Sequence, residues 1–273
     1  MKSVCYEICS KCDLSCDYCI SSDNCRIEEY PYERIISFIK KLSPQRVVLS
    51  GGEPFLDKNL LPKLKLLRQE LPDSFISLSS NGTVNYDFSL LEHYVDCIDI
   101  SLPTLDRKIY TEMRGRDMVL QVMKNIEQVI MGNFYKRISC MMTRVNIDTV
   151  PDLLTYLTQI NVDEVRLGRF FPFRDASKLN EKYSLTDLEL EQFFRDNPLD
   201  KYPFKIVPPI KSLSLMENGY LTLNYGGQVF YPTRDGKNVI GMVDSVEANN
   251  YLIANNTQEQ IFVGMSTKQN VKK

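Results

Sequence analysis

Three cysteines near the start of the chain, Cys12, Cys16 and Cys19, are separated by three and two residues. Thiolates at that spacing can wrap onto one face of a loop and bind metal. A cubane iron–sulfur cluster offers four irons, so three cysteines leave one iron open. An open iron can take a small molecule as its ligand, which separates a catalytic cluster from one that only carries electrons. The competing assignment is a structural zinc, which takes four ligands, commonly as two close pairs well apart along the chain. No second pair follows the triplet and the only histidine is His93, although Cys9 or Cys25 could complete a zinc site.

Eight of the 273 residues are cysteine, and six of them precede Arg26. Such a cluster in a reducing compartment reads as metal or redox chemistry, not as a disulfide framework. The N-terminus lacks a charged-then-apolar leader and no apolar run approaches a membrane span, so a cytoplasmic address with no membrane partner is expected. The composition, 43% hydrophobic and 25% charged, is that of an ordinary globular protein. A formal net charge of -2 gives no basic field for nucleic acid.

The elements that must position the triplet alternate regularly. Strand patterns fall at Val4–Cys9, Arg46–Leu49, Phe75–Leu78, Cys97–Leu102, Arg137–Met142 and Glu164–Leu167. Helical patterns fall at Tyr32–Leu42, Leu60–Leu71, Asp87–Tyr94, Asp117–Met131, Val150–Ile160 and Leu185–Phe194, the last with Thr186 as a cap. Six strand–helix units predict a parallel sheet with outer helices. Six units do not close an eight-unit barrel, so the expected fold is α/β, a partial (β/α)6 TIM-like barrel, splayed or open. After about Asn197 the rhythm changes to short strand patterns at Leu213–Met216, Tyr220–Leu223 and Gln228–Tyr231, then a short helix near Val246–Ile253. The expected division is a core over 1–197 and a small β-rich extension over 198–273, packed on the barrel, with residues from about Ser266 frayed. The triplet directly follows the first strand, on the face where loops after strands build the active site of α/β barrels.

Gly51-Gly52-Glu53-Pro54 directly follows the second strand. Together with the cysteine triplet, and Tyr18 before its third cysteine, this resembles the radical S-adenosylmethionine superfamily, with its C-x-x-x-C-x-x-C and GGEP motifs. Ser79-Ser80-Asn81-Gly82-Thr83, Asp99 to Leu102 with Tyr110 to Gly115, and Thr143 to Asn146 are similar to further loops of that family. The match runs from about Ser3 to Phe194.

The resemblance implies a [4Fe-4S] cluster on Cys12, Cys16 and Cys19 whose open iron chelates the methionine part of S-adenosylmethionine. Gly51, Gly52, Glu53, Pro54, Ser79, Asn81 and Ser101 are the implied cofactor contacts, with Glu53 accepting from the ammonium; Arg114 and Thr143 are further candidates. A reduced cluster splits the cofactor to a 5′-deoxyadenosyl radical that takes hydrogen from the substrate. A one-electron donor such as flavodoxin or ferredoxin is implied. Arg144, Asn146 and Cys140 are candidate catalytic residues, and Arg166, Arg169 and Arg174, with Lys178, candidate substrate contacts. Cys5, Cys9, Cys97 and His93 read as packing, and Cys25 is not assigned as a ligand.

Tyr225 to Pro232 is similar to the start of the SPASM extension of peptide-modifying members, but no cysteine follows Cys140 to hold an auxiliary cluster. Ser50 to Leu56 is similar to viperin, a single-cluster member acting on a nucleoside triphosphate. The expected substrate is a small molecule or nucleotide. A peptide-modifying enzyme and a non-catalytic metal-binding or electron-transfer protein are the alternatives.

Overall fold

Apolar residues at alternate strand positions need a layer of helices to cover them, and the sequence supplies a helix after nearly every strand. The computed structural model describes residues 3–19, 27–172, 179–209, 220–233 and 236–254. The expected strand at Leu213–Met216, the turn at Asn218-Gly219, Cys25, Arg174, Lys178 and the tail from Ser266 lie outside those residues.

Seven strands run parallel in chain order: β1 (Ser3–Glu7), β2 (Arg46–Ser50), β3 (Phe75–Ser80), β4 (Cys97–Ser101), β5 (Tyr135–Met142), β6 (Glu164–Arg169) and β7 (Lys205–Val207). Beside β1 lies β8 (Leu221–Asn224), also parallel, followed by the antiparallel β9 (Gln228–Thr233) and β10 (Gly236–Met242). The order is β10-β9-β8-β1-β2-β3-β4-β5-β6-β7 and the sheet does not close, so the α/β fold is the expected open, TIM-like partial barrel.

The outer layer comprises α1 (Tyr32–Leu42), α2 (Leu60–Glu70), α3 (Arg107–Arg114), α4 (Val119–Met131), α5 (Val150–Leu157), the single turn α6 (Asn180–Tyr183) and α7 (Asp187–Asp196); residues 246–254 are also helical. In α1, Ile35, Ile36, Phe38, Ile39 and Leu42 form one buried stripe, and Ser43 ends the helix in the left-handed region at φ 46°. The predicted cap of α7 is present as a reciprocal capping box between Thr186 and Glu189. The helix expected over Asp87–Tyr94 is only a 3-10 turn at Phe88–Leu91. The chain must reach β4 at Cys97, which leaves room for one tight turn. Conversely, α3 forms where no helix is predicted, capped by Asp106 accepting from the Lys108 and Ile109 amides and ended by Gly115 at φ 85°.

The two faces of the sheet differ. Val4, Val47, Leu49, Ile76, Leu78, Ile98, Ile100, Ile138, Val165 and Leu167 point to the helices and form the main core. The other face is polar, since register aligns Asn224, Glu7 and Ser50 on one side and Ser79, Asp99, Arg137, Glu164 and Lys205 on the other. Cys5 sits on that polar face beside Ser50, at 3.2 Å, whereas Cys9 is buried in the main core; the first strand ends at Glu7, short of the expected Cys9.

A buried ion network ties the polar face together. Glu164 accepts from Arg137 Nε at 2.6 Å, Lys205 Nζ at 2.8 Å and the Tyr135 hydroxyl at 3.2 Å. Burial pushes its carboxyl up, but the hydrogen bonds from Lys205 and Arg137 pull harder and leave it at about 2. Replacing Glu164 with glutamine removes the nearer of two carboxylates on buried Arg137, leaving Asp99 at 3.7 Å, and is expected to lower stability by roughly 1–3 kcal/mol, read as a fall in the denaturant midpoint. Because the folded-state value is depressed, the glutamate's contribution is present above pH 4.5 and is lost as pH falls towards 2, so wild type and variant should converge in acid.

Candidate active site

The loop that carries the three cysteines leaves β1 and is gripped along its length. At its entry, Gly52 N donates to Cys9 O at 2.8 Å and Glu53 N to Lys11 O at 2.6 Å. Gly51 has φ +136°, and a Cβ on Gly52 would lie 2.1 Å from the Lys11 carbonyl oxygen. The glycines of this motif therefore serve a packing need: only a backbone without side chains can lie this close to the cysteine loop. Buried Lys63 adds a bond to Ile8 O at 2.9 Å, its charge matched by Asp57 at 2.6 Å.

The middle of the loop is held from β3 and α3. Asp13 accepts from Asn81 Nδ2 at 2.9 Å and from Thr83 Oγ1 at 2.7 Å. Ser15 N donates to Arg114 O at 3.2 Å, and Gly115 leaves room for the Ser15 side chain. Where the chain leaves the loop, Tyr30 N donates to Tyr225 O at 2.9 Å, so the C-terminal strands hold the return arm. Asp13, Thr83 and Tyr30 are not singled out by the sequence reading. The adjacency of Asp13 to Cys12 was the available signal for the first.

Cys12 and Cys19 are exposed and Cys16 is half-buried. Two donors are aimed at their sulfurs, with Asn81 Nδ2 3.7 Å from Cys12 Sγ and Arg114 Nη1 3.7 Å from Cys16 Sγ. Arg114 also donates to Ser101 Oγ, and its guanidinium lies 5.8 Å from the Tyr18 ring centre. Its Nε is buried with no protein partner. Three accessible thiols on one loop, two of them facing hydrogen-bond donors and one a buried cation, fit a cluster ligand set. Among the described residues no three His, Cys, Asp or Glu side chains could hold one metal ion. Cubane thiolates bind separate irons, so they need not converge as the ligands of one ion do.

Glu53 is completely buried. It accepts from the Phe55 amide at 3.1 Å, Ser80 Oγ at 2.8 Å and the Asn81 amide at 2.7 Å. Burial pushes its carboxyl up to about 7, against the pull of these three bonds. It thus fixes the loop after β3, and with it Asn81, against the cysteine loop. Pro54 starts a 3-10 turn that Glu53 caps. Ser79 and Ser101 are partly exposed at the ends of β3 and β4, on the polar face.

The remaining candidates divide. Asn146 is fully buried; its Oδ1 accepts from the Thr143 amide and hydroxyl, and its Nδ2 donates to Pro103 O and Met141 O. Cys140 lies in the helix-facing core and donates to Pro103 O at 3.4 Å. Arg144 makes a two-pronged bond to Glu189 at 3.0 and 3.1 Å. Arg169 pairs with Asp187 at 2.5 Å, and Arg166 stands 3.5 Å from Glu164 with its side chain 38% exposed. Arg144 and Arg169, with Phe170, Phe171, Asn180 and Ser184, line a cavity of about 480 Å3 beyond the ends of β5 and β6. Because β1 to β6 are parallel, the cavity opens at the same end of the sheet as the cysteine loop.

An open parallel barrel with a three-cysteine loop after its first strand and a Gly-Gly-Glu-Pro turn after its second defines a class of enzymes that use an iron–sulfur cluster with S-adenosylmethionine. The chain belongs to the radical SAM superfamily, whose sequence profile matches residues 6–157, more than half of its length. It is 28% identical over 231 residues to a probable GTP 3′,8-cyclase from Pyrococcus abyssi, covering 80% of this chain and 71% of that protein. It is 26% identical over 176 residues to the GTP 3′,8-cyclase of Chlorobaculum tepidum, covering 61% and 52%. This chain therefore spans between about half and seven-tenths of these relatives. The crystal structure of Streptococcus suis SuiB bound to S-adenosylmethionine superimposes with a TM-score of 0.71 at 14% identity, covering 92% of this chain and 65% of that one, and shares the fold. The family uses a [4Fe-4S] cluster and S-adenosylmethionine, and the chain is accordingly an enzyme of that family. Among the described residues no helix is long and apolar enough to cross a membrane.

Proposed function

We propose that Cys12, Cys16 and Cys19 hold the cluster, that Gly51, Gly52, Glu53, Pro54, Ser79, Asn81 and Ser101 form the S-adenosylmethionine site, and that the substrate is a nucleotide. Held by Cys12, Cys16 and Cys19, a reduced [4Fe-4S] cluster would supply one electron for cleavage of the C5′–S bond of S-adenosylmethionine, releasing methionine and providing the radical chemistry that removes a hydrogen atom from the substrate. The chain's own part is to bind, orient and exclude water. Gly51 to Glu53 and Asn81 fix the cysteine loop, Arg114 sets a cation beside Cys16, and the polar face of the sheet offers hydroxyls and charges to a polar substrate. A one-electron donor of the flavodoxin or ferredoxin kind supplies the electron. Residues 1–197 are assigned this chemistry, and within 198–273 Tyr225 holds Tyr30 of the return arm.

The observation that carries the nucleotide reading is the cavity beside Arg144 and Arg169, walled by Phe170 and Phe171. Aromatic rings can stack on a base and arginines can bind phosphate in a two-pronged way. Both arginines pair with carboxylates of α7. A phosphate bound there would take over these guanidinium bonds from Asp187 and Glu189, whose side chains are 73% and 38% exposed and can turn to solvent. The cyclase relatives point to the same substrate class, and GTP is the first nucleotide to test.

The experiment is anaerobic reconstitution, then dithionite and S-adenosylmethionine with and without GTP, following 5′-deoxyadenosine. GTP should raise its yield and be converted to a new product. Arg169→Gln should weaken GTP binding by roughly tenfold, the loss of one charge-assisted hydrogen bond, with basal cofactor cleavage kept. Cleavage indifferent to GTP and to other nucleotides, with an intact cluster, would remove the nucleotide reading and favour a peptide substrate.

A further inference from the structure

Tyr183 belongs to neither the cysteine loop nor the cofactor motifs, yet it is completely buried between them and the cavity. Its hydroxyl donates to Asp17 Oδ2 at 3.1 Å. Its ring meets Tyr18 edge-on, with centres 5.8 Å apart and planes at 71°. Asp17 and Tyr18 are the two residues between Cys16 and Cys19, so one side chain holds the whole turn between the second and third cysteines. The next residue back, Lys182, stands 3.7 Å from Asp17 and 3.0 Å from Glu112 of α3.

On its other side Tyr183 packs on Phe170, at 5.6 Å between ring centres. Tyr183, Phe170 and Met113 form a small core of their own, separate from the main one, with Tyr18 and Met141 packed against it. Its carbonyl accepts from the Arg144 amide at 3.1 Å. Its neighbours Asn180, Glu181 and Ser184 line the cavity.

We propose that Tyr183 is a positioning residue for the iron–sulfur cluster, which clamps the Cys16–Cys19 turn through Asp17 and Tyr18. This rests on the cluster ligands proposed above. The physical argument is local opening. The cysteine loop lies at the surface, with Cys12 and Cys19 exposed, and the lifetime of a cluster in air depends on how often its loop opens to oxygen. A bond from a buried hydroxyl and a packed ring both disfavour that opening, and both come from this one side chain.

The test uses the reconstituted full chain as wild type, Tyr183→Phe and Tyr183→Ala, transferred from anaerobic to air-saturated buffer while the visible absorbance of the cluster is followed. Tyr183→Phe keeps the ring and loses the hydroxyl's bonds to Asp17 and to the neighbouring Lys182, so its cluster should be lost about fivefold faster. Tyr183→Ala also loses the ring and should decay more than tenfold faster, with an altered electron paramagnetic resonance spectrum of the reduced cluster. If the alanine chain does not fold, the phenylalanine variant alone decides. Equal wild-type lifetimes in every variant that loads iron would overturn the clamp and leave the ligand assignment standing. A wild type that takes up no cluster would overturn both.

Discussion

Cys16→Ala is expected to take up little iron and sulfide and to form no detectable 5′-deoxyadenosine, under conditions where the wild type does both. Cys16 is half-buried and its Sγ faces Arg114 Nη1 at 3.7 Å, so the fold should survive with a stability change under about 1 kcal/mol. That combination matters, because loss of activity in an unfolded chain would say nothing about ligation. Metal analysis of the wild type provides the counter-test. Stoichiometric zinc with no cluster would remove the cluster assignment for this chain.

Gly52→Ala is expected to have nearly as large an effect on cluster loading, although residue 52 is not a ligand. A methyl group there would stand 2.1 Å from Lys11 O, 2.6 Å from Lys11 C and 2.7 Å from Ser10 O. All three are backbone atoms of the cysteine loop, so no side chain can swing away to make room. The loop must shift, and the bonds from Gly52 N to Cys9 O and from Glu53 N to Lys11 O shift with it. Overpacking of this kind costs roughly 1–3 kcal/mol of stability. The larger consequence is a displaced Cys12, read as reduced iron per chain after reconstitution. Gly168→Ala is the matched control: the nearest atom to its added methyl is 3.7 Å away, and loading should be unchanged.

These two positions illustrate two kinds of motif residue. Cys16 is recognisable because metal chemistry needs thiolates at a set spacing, whatever surrounds them. Gly52 is recognisable only as part of a pattern, and its reason lies in the approach of two chain segments that are about 40 residues apart. Glu53 is similar. The sequence suggests a contact with the cofactor's ammonium, whereas the carboxylate already accepts three hydrogen bonds that lock the loop after β3.

The sequence by itself determined the thiol triplet, the alternation of strands and helices, and the position of α1 and α7 with its Thr186 cap, because these rest on local spacing and local hydrogen bonds. It missed α3 although Asp106 and Gly115 stand at its two ends, since this eight-residue helix buries only Tyr110, Met113 and Arg114 and so shows little apolar stripe. It overextended Asp87–Tyr94, where the distance to β4 overrode a helical pattern. Tertiary structure alone decided that Asn146 and Cys140 bond within the protein, that Arg144 and Arg169 meet carboxylates of α7, and that β8 lies against β1. It alone brought Tyr183 onto Asp17, 166 residues away along the chain. Local pattern encodes which face of an element is apolar. Which polar side chains meet depends on packing between distant segments, and no spacing along the chain carries that information.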